Sequence, residues 1–392
     1  MRWASTISRQ ASTDLAVREA IAEARQAFGD LSADLVFCFL SPNHVASARD
    51  VVAQLGGHFP GAVVLGCSAQ SCVGGAVEVE EGPSLSLTLA NLPDVSLHAF
   101  EVSPTALAAA GADSTGWREI AGVDPDARPA FVLLGDPFSG NAEAVIGGLE
   151  AAYPGAVQVG GLASGGRNPG ESVLLLQDRV LGDGFIGLAL TGDVEIDTVV
   201  AQGCRPIGQP MFITRSEQNV IFEVDGRPPM TVLNELAENA SERELRLFQT
   251  SLFIGLQMNP DQVELGRGDF LVRNVIGGDR DSGALAVGAL VEDTQVVQFH
   301  LRDGETAAED LELGLSHYAD KNAPASGALL FSCLGRGRGM YGSENHDSAA
   351  LQRILGDISV SGFFCNGEIG PVQGRTFLHG YTSAFGIFRP RA

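Results

Sequence analysis

The chain has 392 residues, 45% of them hydrophobic, enough for two or three domains with substantial cores. Its 48 acidic and 25 basic side chains give a formal charge of -23, and no block of Lys or Arg offsets it locally, which argues against a nucleic-acid partner. Lys321 is the sole lysine and sits in a polar stretch that reads as a loop, so a Walker-type phosphate loop is excluded and Schiff-base chemistry has one candidate.

Residues 1–30 read as an N-terminal helical segment, because Leu15, Val17, Ile21 and Phe28 recur at roughly helical spacing and Asp14 is available as N-cap. Leu35–Leu40 is an unbroken apolar strand, followed by the turn Ser41-Pro42-Asn43-His44, a helix over 45–55 and a second strand over 62–65. The same order recurs as strand 131–134, a corner at 135–139, helix 142–152 and strand 156–161. Pro42 and Pro137 lie 95 positions apart, Gly61 and Gly155 94 apart, which suggests an internal duplication. A third, weaker copy runs from strand 328–333 through a glycine loop and a helix over 345–355 to a strand beginning at 358. Three polar strand ends are therefore expected to come together.

Between the second and third copies, 173–176, 184–190 and 194–200 read as an antiparallel meander. A charged helix over 231–247, strands at 251–258, 270–275, 284–287 and 296–301, and a helix over 305–318 follow. The expectation is an α/β fold of two sheet-containing halves, strand-helix-strand units plus antiparallel strands, with helices on the outer faces. Its parts are a helical segment 1–30, a domain over 31–225 and a second over 226–392.

No apolar run is long enough to span a bilayer, and residues 1–10 lack the apolar core of a signal peptide. The six cysteines are scattered, mostly within apolar runs, as in a reducing compartment. A cytoplasmic protein is expected.

Chemistry is expected where apolar strands end. After 159–162, Gly161 and Ser164 lie in a glycine-rich turn whose successive N–H groups suit a carboxylate or phosphate, or which is simply shaped for packing. Arg336 and Arg338 follow the third-copy strand on a glycine loop, where they would clamp an anion or pair with surface carboxylates. Cys365, Asn366 and Glu368 share one corner, with His379 close behind: either pocket groups, or a nucleophilic thiol with acid–base help, or a buried cysteine. Asp136 and Ser139 hold the matching corner of the second copy, where Asp136 before Pro137 also initiates turns.

Residues 270–311, beginning FLVRNVIGGDRDSGALAVG, with LLFSCLGRGRGMYG (329–342) and GFFCNGEIGPV (362–372), resemble the C-terminal half of the FIST domain, named for F-box and intracellular signal-transduction proteins. LLGDPFS (133–139) and VGGLASGG (159–166) resemble its N-terminal half. The resemblance implies a sensory module for a small ligand, with amino acids proposed for the family. A carboxylate at Glu368 and the arginines at the neighbouring strand end would match the ammonium and carboxylate of such a ligand. These 392 residues leave no room for a kinase, methyl-accepting or F-box segment, so the signal is expected to pass to a separate protein. Two alternatives stand beside this reading. The family also implies haem-based nitric-oxide sensing, for which seven histidines are available and none is singled out; the corner residues allow a thiol or acid–base enzyme using Cys365 and Glu368.

Overall fold

The computed structural model describes residues 1–111, 113–321 and 325–391. Three strand-helix-strand units are present: Leu35–Leu40, Ala48–His58 and Val63–Ser68; Ala130–Gly135, Ala142–Ala152 and Gln158–Leu162; Gly327–Cys333, His346–Leu355 and Ser359–Cys365. In each the two strands pair in parallel, since the helix carries the chain back to the end it started from. Both faces of these strands are buried, which is why they read as continuous apolar runs.

Each parallel pair forms the centre of a six-stranded mixed sheet. The hairpin that follows each pair does not stay in its own sheet. Strands Cys72–Gly74 and Val77–Val79, after the first pair, extend the third sheet; Leu174–Leu176 and Arg179–Leu181, after the second, extend the first; Glu368–Val372 and Arg375–His379, after the third, extend the second. The exchange closes a ring, so every sheet is completed by its neighbour's chain.

The close pairing rests on one glycine per repeat. A Cβ at Gly66, Gly160 or Gly362 would stand 1.8 Å from the carbonyl oxygen of Cys38, Leu133 or Leu330 on the adjacent parallel strand. No side chain fits there. The inner faces of the three sheets share one apolar core, in which Phe39 meets Phe363 at 4.9 Å and Val132, Val159 and Leu329 join them. Helices cover the outer faces: Thr13–Phe28 and Ala48–His58 on the first sheet, Ser114–Ala121 and Ala142–Ala152 on the second.

Three expectations change. The segment 1–30 is not only helical: Arg2–Ser8 is an edge strand paired antiparallel with Leu85–Asn91, and its partial polar–apolar alternation is the signature of that place. The stretch 173–200 is no meander, because Leu174–Leu176, Phe185–Gly192 and Glu195–Ala201 enter the first, second and third sheets respectively; apolar pattern marks a strand but does not choose its partner. The expected helix over 231–247 is two helices, Pro229–Glu238 and Glu242–Thr250, the second opened by a capping box between Ser241 and Glu244.

The chain forms two compact units, Met1–Val200 with Leu311–Leu378 and Thr382–Ala392, and Ala201–Asp310 with His379–Tyr381. The chain leaves the first unit at Val200 and returns to it at Leu311, and the third repeat packs with the other two. The second unit is a closed barrel of Cys204–Glu217, Val220–Val224, Leu285–Val287, Phe270–Gly278, Leu252–Gln257 and Val296–Arg302 around Ile213, Ile221, Ile254 and Phe299.

Candidate functional site

The three strand ends do meet, and they meet in a hydrogen-bonded weave. The Ser164 N–H donates to the Ser68 carbonyl at 3.1 Å, the Phe364 N–H to Ser71 at 3.0 Å, and the Asn366 N–H to Leu162 at 3.2 Å. Each loop therefore grips the strand end of another repeat. Asn366 adds its side-chain amide to the Ala163 carbonyl at 2.9 Å, and the Ser164 hydroxyl donates to the Phe364 carbonyl while accepting from the Gln70 N–H. A Cβ at Gly161 would lie 2.4 Å from the Cys365 sulfur, so this glycine makes room for packing. Burial pushes the Cys365 thiol well above its ordinary pKa, and the nearby Glu368 charge adds to it, which disfavours a thiolate nucleophile.

The two arginines part company. Arg336 is fully buried and grips Asp347 through Nε–Oδ2 at 2.9 Å and Nη2–Oδ1 at 3.3 Å, beside the ring of Tyr341 at 5.5 Å. Burial opposes the Asp347 charge, but Arg336 and a hydrogen bond from His346 hold the carboxyl below its usual range. Arg338 is exposed on the one-turn helix Arg338–Tyr341 and faces Glu344 at 3.6 Å. Glu368 is also fully buried: Oε2 accepts from the Thr382 N–H at 3.1 Å and Oε1 has no hydrogen-bond partner. Burial drives its pKa well up, against the pull of the Thr382 N–H and the Arg336 charge. Asp136 folds its own corner, accepting from the Phe138 and Ser139 N–H groups and the Ser139 hydroxyl, which in turn accepts from the Gly184 N–H. These residues fasten turns and repeats together.

An open cavity of about 800 Å³ lies elsewhere in the first unit. Its wall is drawn from five separated segments: 125–130, 153–157, 194–200, the end of helix Gly304–Asp320 with Lys321, and Arg391. Tyr318 is 4% exposed, and its hydroxyl lies beside the Asp197 carboxylate but makes no hydrogen bond of normal geometry. Burial, and then the charge of Asp197, push its pKa up to about 12, so it stays a neutral donor at any physiological pH. The two wall carboxylates are already held, Asp197 by Arg389 Nε at 2.6 Å and Glu195 by Arg389 Nη2 at 3.0 Å. Arg128, Lys321 and Arg391 then leave the rim basic in a chain of net charge -23. Arg391 is oriented by its N–H to Asp193 at 2.9 Å and by Nη2 to the Arg128 carbonyl at 3.2 Å.

No sequence motif spans this cavity, and the one signal of it in the sequence is the lone lysine, Lys321. Three of the seven histidines bear on the haem alternative. His44 is buried against Thr13 and His300 against Gln298 and Phe270, neither facing open space, while His317 is exposed on the cavity rim among polar groups. Among the described residues no group of His, Cys, Asp or Glu is arranged to hold a metal ion, and no helix is long and apolar enough to cross a membrane.

Two family descriptions match the sequence, the FIST N domain over 34–227 and the FIST C domain over 229–371. An uncharacterised protein of Mycobacterium tuberculosis H37Rv is 36% identical over 389 residues, 99% of this chain and 100% of its own length. An uncharacterised protein of Mycobacterium bovis is 35% identical over 371 residues, 94% of each chain. A solved structure of a cyanuric acid hydrolase from A. caulinodans covers both chains in full with a TM-score of 0.36 and 9% identity, a likeness too slight to carry an argument.

Proposed function

For a chain that belongs to the FIST family, as this one does, we infer a sensory protein that binds a small anionic ligand, an amino acid or another carboxylate, in the 800 Å³ cavity. FIST domains are associated with signal transduction and small-ligand sensing. The observation that carries the reading is the buried Tyr318 hydroxyl, which makes no hydrogen bond of normal geometry, on the wall of a cavity with a basic rim. A buried polar group without a partner costs about 1–3 kcal/mol. A ligand oxygen accepting from Tyr318, with its charge met by Lys321 and Arg391, removes that cost. The volume suits a small molecule.

Two of the lining segments are where the chain passes between its compact units: 194–200 runs directly into Ala201, and the helix carrying Tyr318 begins at Gly304 and passes Asp310. In this reading a ligand that binds one conformational state more tightly shifts the population and alters affinity for a separate signalling partner. The strand-end residues Ser164, Asn366, Arg336 and Glu368 then belong to the scaffold. A cytoplasmic setting accords with the six free cysteines.

Thermal unfolding in the presence of amino acids, mono- and dicarboxylates and inorganic phosphate tests the proposal. A ligand at 100 times its Kd stabilises by about 2.7 kcal/mol, a shift of several degrees. Failure of every compound to stabilise in a concentration-dependent way would contradict it.

A further inference from the structure

A second, separate hollow of about 380 Å³ is lined by Arg9, Glu78, Glu80, Glu81, Arg338 and Glu344 among others, four carboxylates against two guanidinium groups. Its acidity alone would say little, since charged faces are ordinarily solvated. What marks it is Glu78. This side chain is 1% exposed, with Oε1 accepting the Ser348 N–H at 2.7 Å near the start of helix His346–Leu355, the Ser348 hydroxyl beside the carboxylate, and Oε2 buried without a hydrogen bond of normal geometry. Its backbone is fixed as well, the N–H donating to the Asn345 side chain at 2.6 Å.

The other charges do not relieve it. Glu80 is spent on the Arg338 N–H, at 2.8 and 3.0 Å, and the Arg338 guanidinium faces Glu344. Asp347, on the helix behind, is negative and repels Glu78, and Tyr341 is neutral. The hollow therefore has a surplus of negative charge with a buried oxygen at its wall. A compact divalent ion does not answer it, because among the described residues no set of carboxylates converges as a metal would require. Carboxylates spread around a hollow suit an extended cation carrying more than one positive group.

We propose that the hollow between Glu78, Glu81 and the Arg338–Glu344 rim binds a linear aliphatic diamine, one ammonium donating to the buried Glu78 Oε2 and the other facing Glu81. The ammonium supplies the missing donors, three per group, and the charge that the site lacks. Burial, then Asp347, raise the Glu78 pKa to about 7, so diamine binding strengthens as pH rises from 6 to 8 and Glu78 ionises.

Calorimetric titration of the full chain with 1,4-diaminobutane at pH 8 and low salt tests this, with butylamine and magnesium chloride as comparison titrants. The expected result is saturable 1:1 binding of the diamine, at least tenfold weaker for butylamine, for the diamine at pH 6, and for Glu78→Gln at pH 8, the variant keeping the wild-type circular dichroism. Should that variant not fold, the exposed Glu81→Gln reads the same tenfold loss. No saturable binding, a loss of less than tenfold in the folded variant, or equal competition by magnesium chloride would overturn the proposal.

Discussion

Ser164 and Phe364 are 200 residues apart and joined by a single hydrogen bond, from the serine hydroxyl to the phenylalanine carbonyl, while the same hydroxyl accepts from the Gln70 N–H. One buried atom thus ties together loops of all three repeats, and it does so at the point where a ligand pocket had been expected. Convergence of strand ends is a consequence of the threefold construction and does not of itself make a cavity. Ser164→Ala leaves the buried Phe364 carbonyl, and the part-buried Gln70 N–H, short of a partner, a loss of about 1–3 kcal/mol. Chemical denaturation should show a lowered midpoint with an unchanged slope; a variant as stable as wild type would mean that the weave does not depend on this hydroxyl.

Gly66, Gly160 and Gly362 occupy the same place in their repeats, and each would drive a Cβ to within 1.8 Å of a backbone oxygen. Backbone cannot swing away as a flexible side chain does. Alanine at any of the three is expected to abolish accumulation of folded protein. Gly57, in helix Ala48–His58 with open space around it, supplies the contrast: Gly57→Ala should stabilise by about 0.5–1 kcal/mol. Soluble expression and thermal melts of the four variants distinguish the two kinds of glycine.

The Arg336–Asp347 pair is buried on both sides, 0% and 2% exposed. Removing one partner strands the other charge, so Arg336→Met is expected to cost about 3–5 kcal/mol, whereas Arg336→Met combined with Asp347→Leu should recover part of it. The double-mutant cycle by denaturant titration gives the coupling. Additive losses would show that the two groups do not form the unit described.

Glu78 makes a prediction about pH. Its folded pKa, about 7, lies above the ordinary carboxyl value it regains on unfolding, so between pH 5 and 7 the folded state holds the extra proton. Its contribution is therefore full below about pH 5 and is lost as pH rises past 7, by roughly 3 kcal/mol at most. Asp347 works in the opposite sense, being held low, and contributes only above the acid range. Stability of Glu78→Gln measured from pH 5 to 8 should accordingly fall less than that of wild type. Parallel curves would refute the assignment.

The repeats were legible because each strand is an unbroken apolar run closed by glycine or proline, and the helix Ala142–Ala152 could be read to both its ends. The capping box at Ser241 and Glu244 is equally visible in the sequence and marks the start of the second helix. What sequence does not carry is destination. Leu174–Leu176 is apolar whichever sheet receives it, and nothing near Arg336 announces that Asp347, eleven residues on, will meet it in the interior. The largest gap was the cavity itself, whose Arg128, Tyr318, Lys321 and Arg391 become neighbours only after three sheets have closed around one core.

The claim that an anion occupies that cavity is tested most directly by calorimetric titration of whichever carboxylate or phosphate gives the largest thermal shift, into wild type, Tyr318→Phe and the double variant Lys321→Glu/Arg391→Glu. Losing one hydrogen bond to a charged group costs about 1.5–3 kcal/mol, so Tyr318→Phe should bind at least tenfold more weakly, and charge reversal at the rim should remove binding altogether. Wild-type affinity in both variants would place the ligand somewhere other than this cavity.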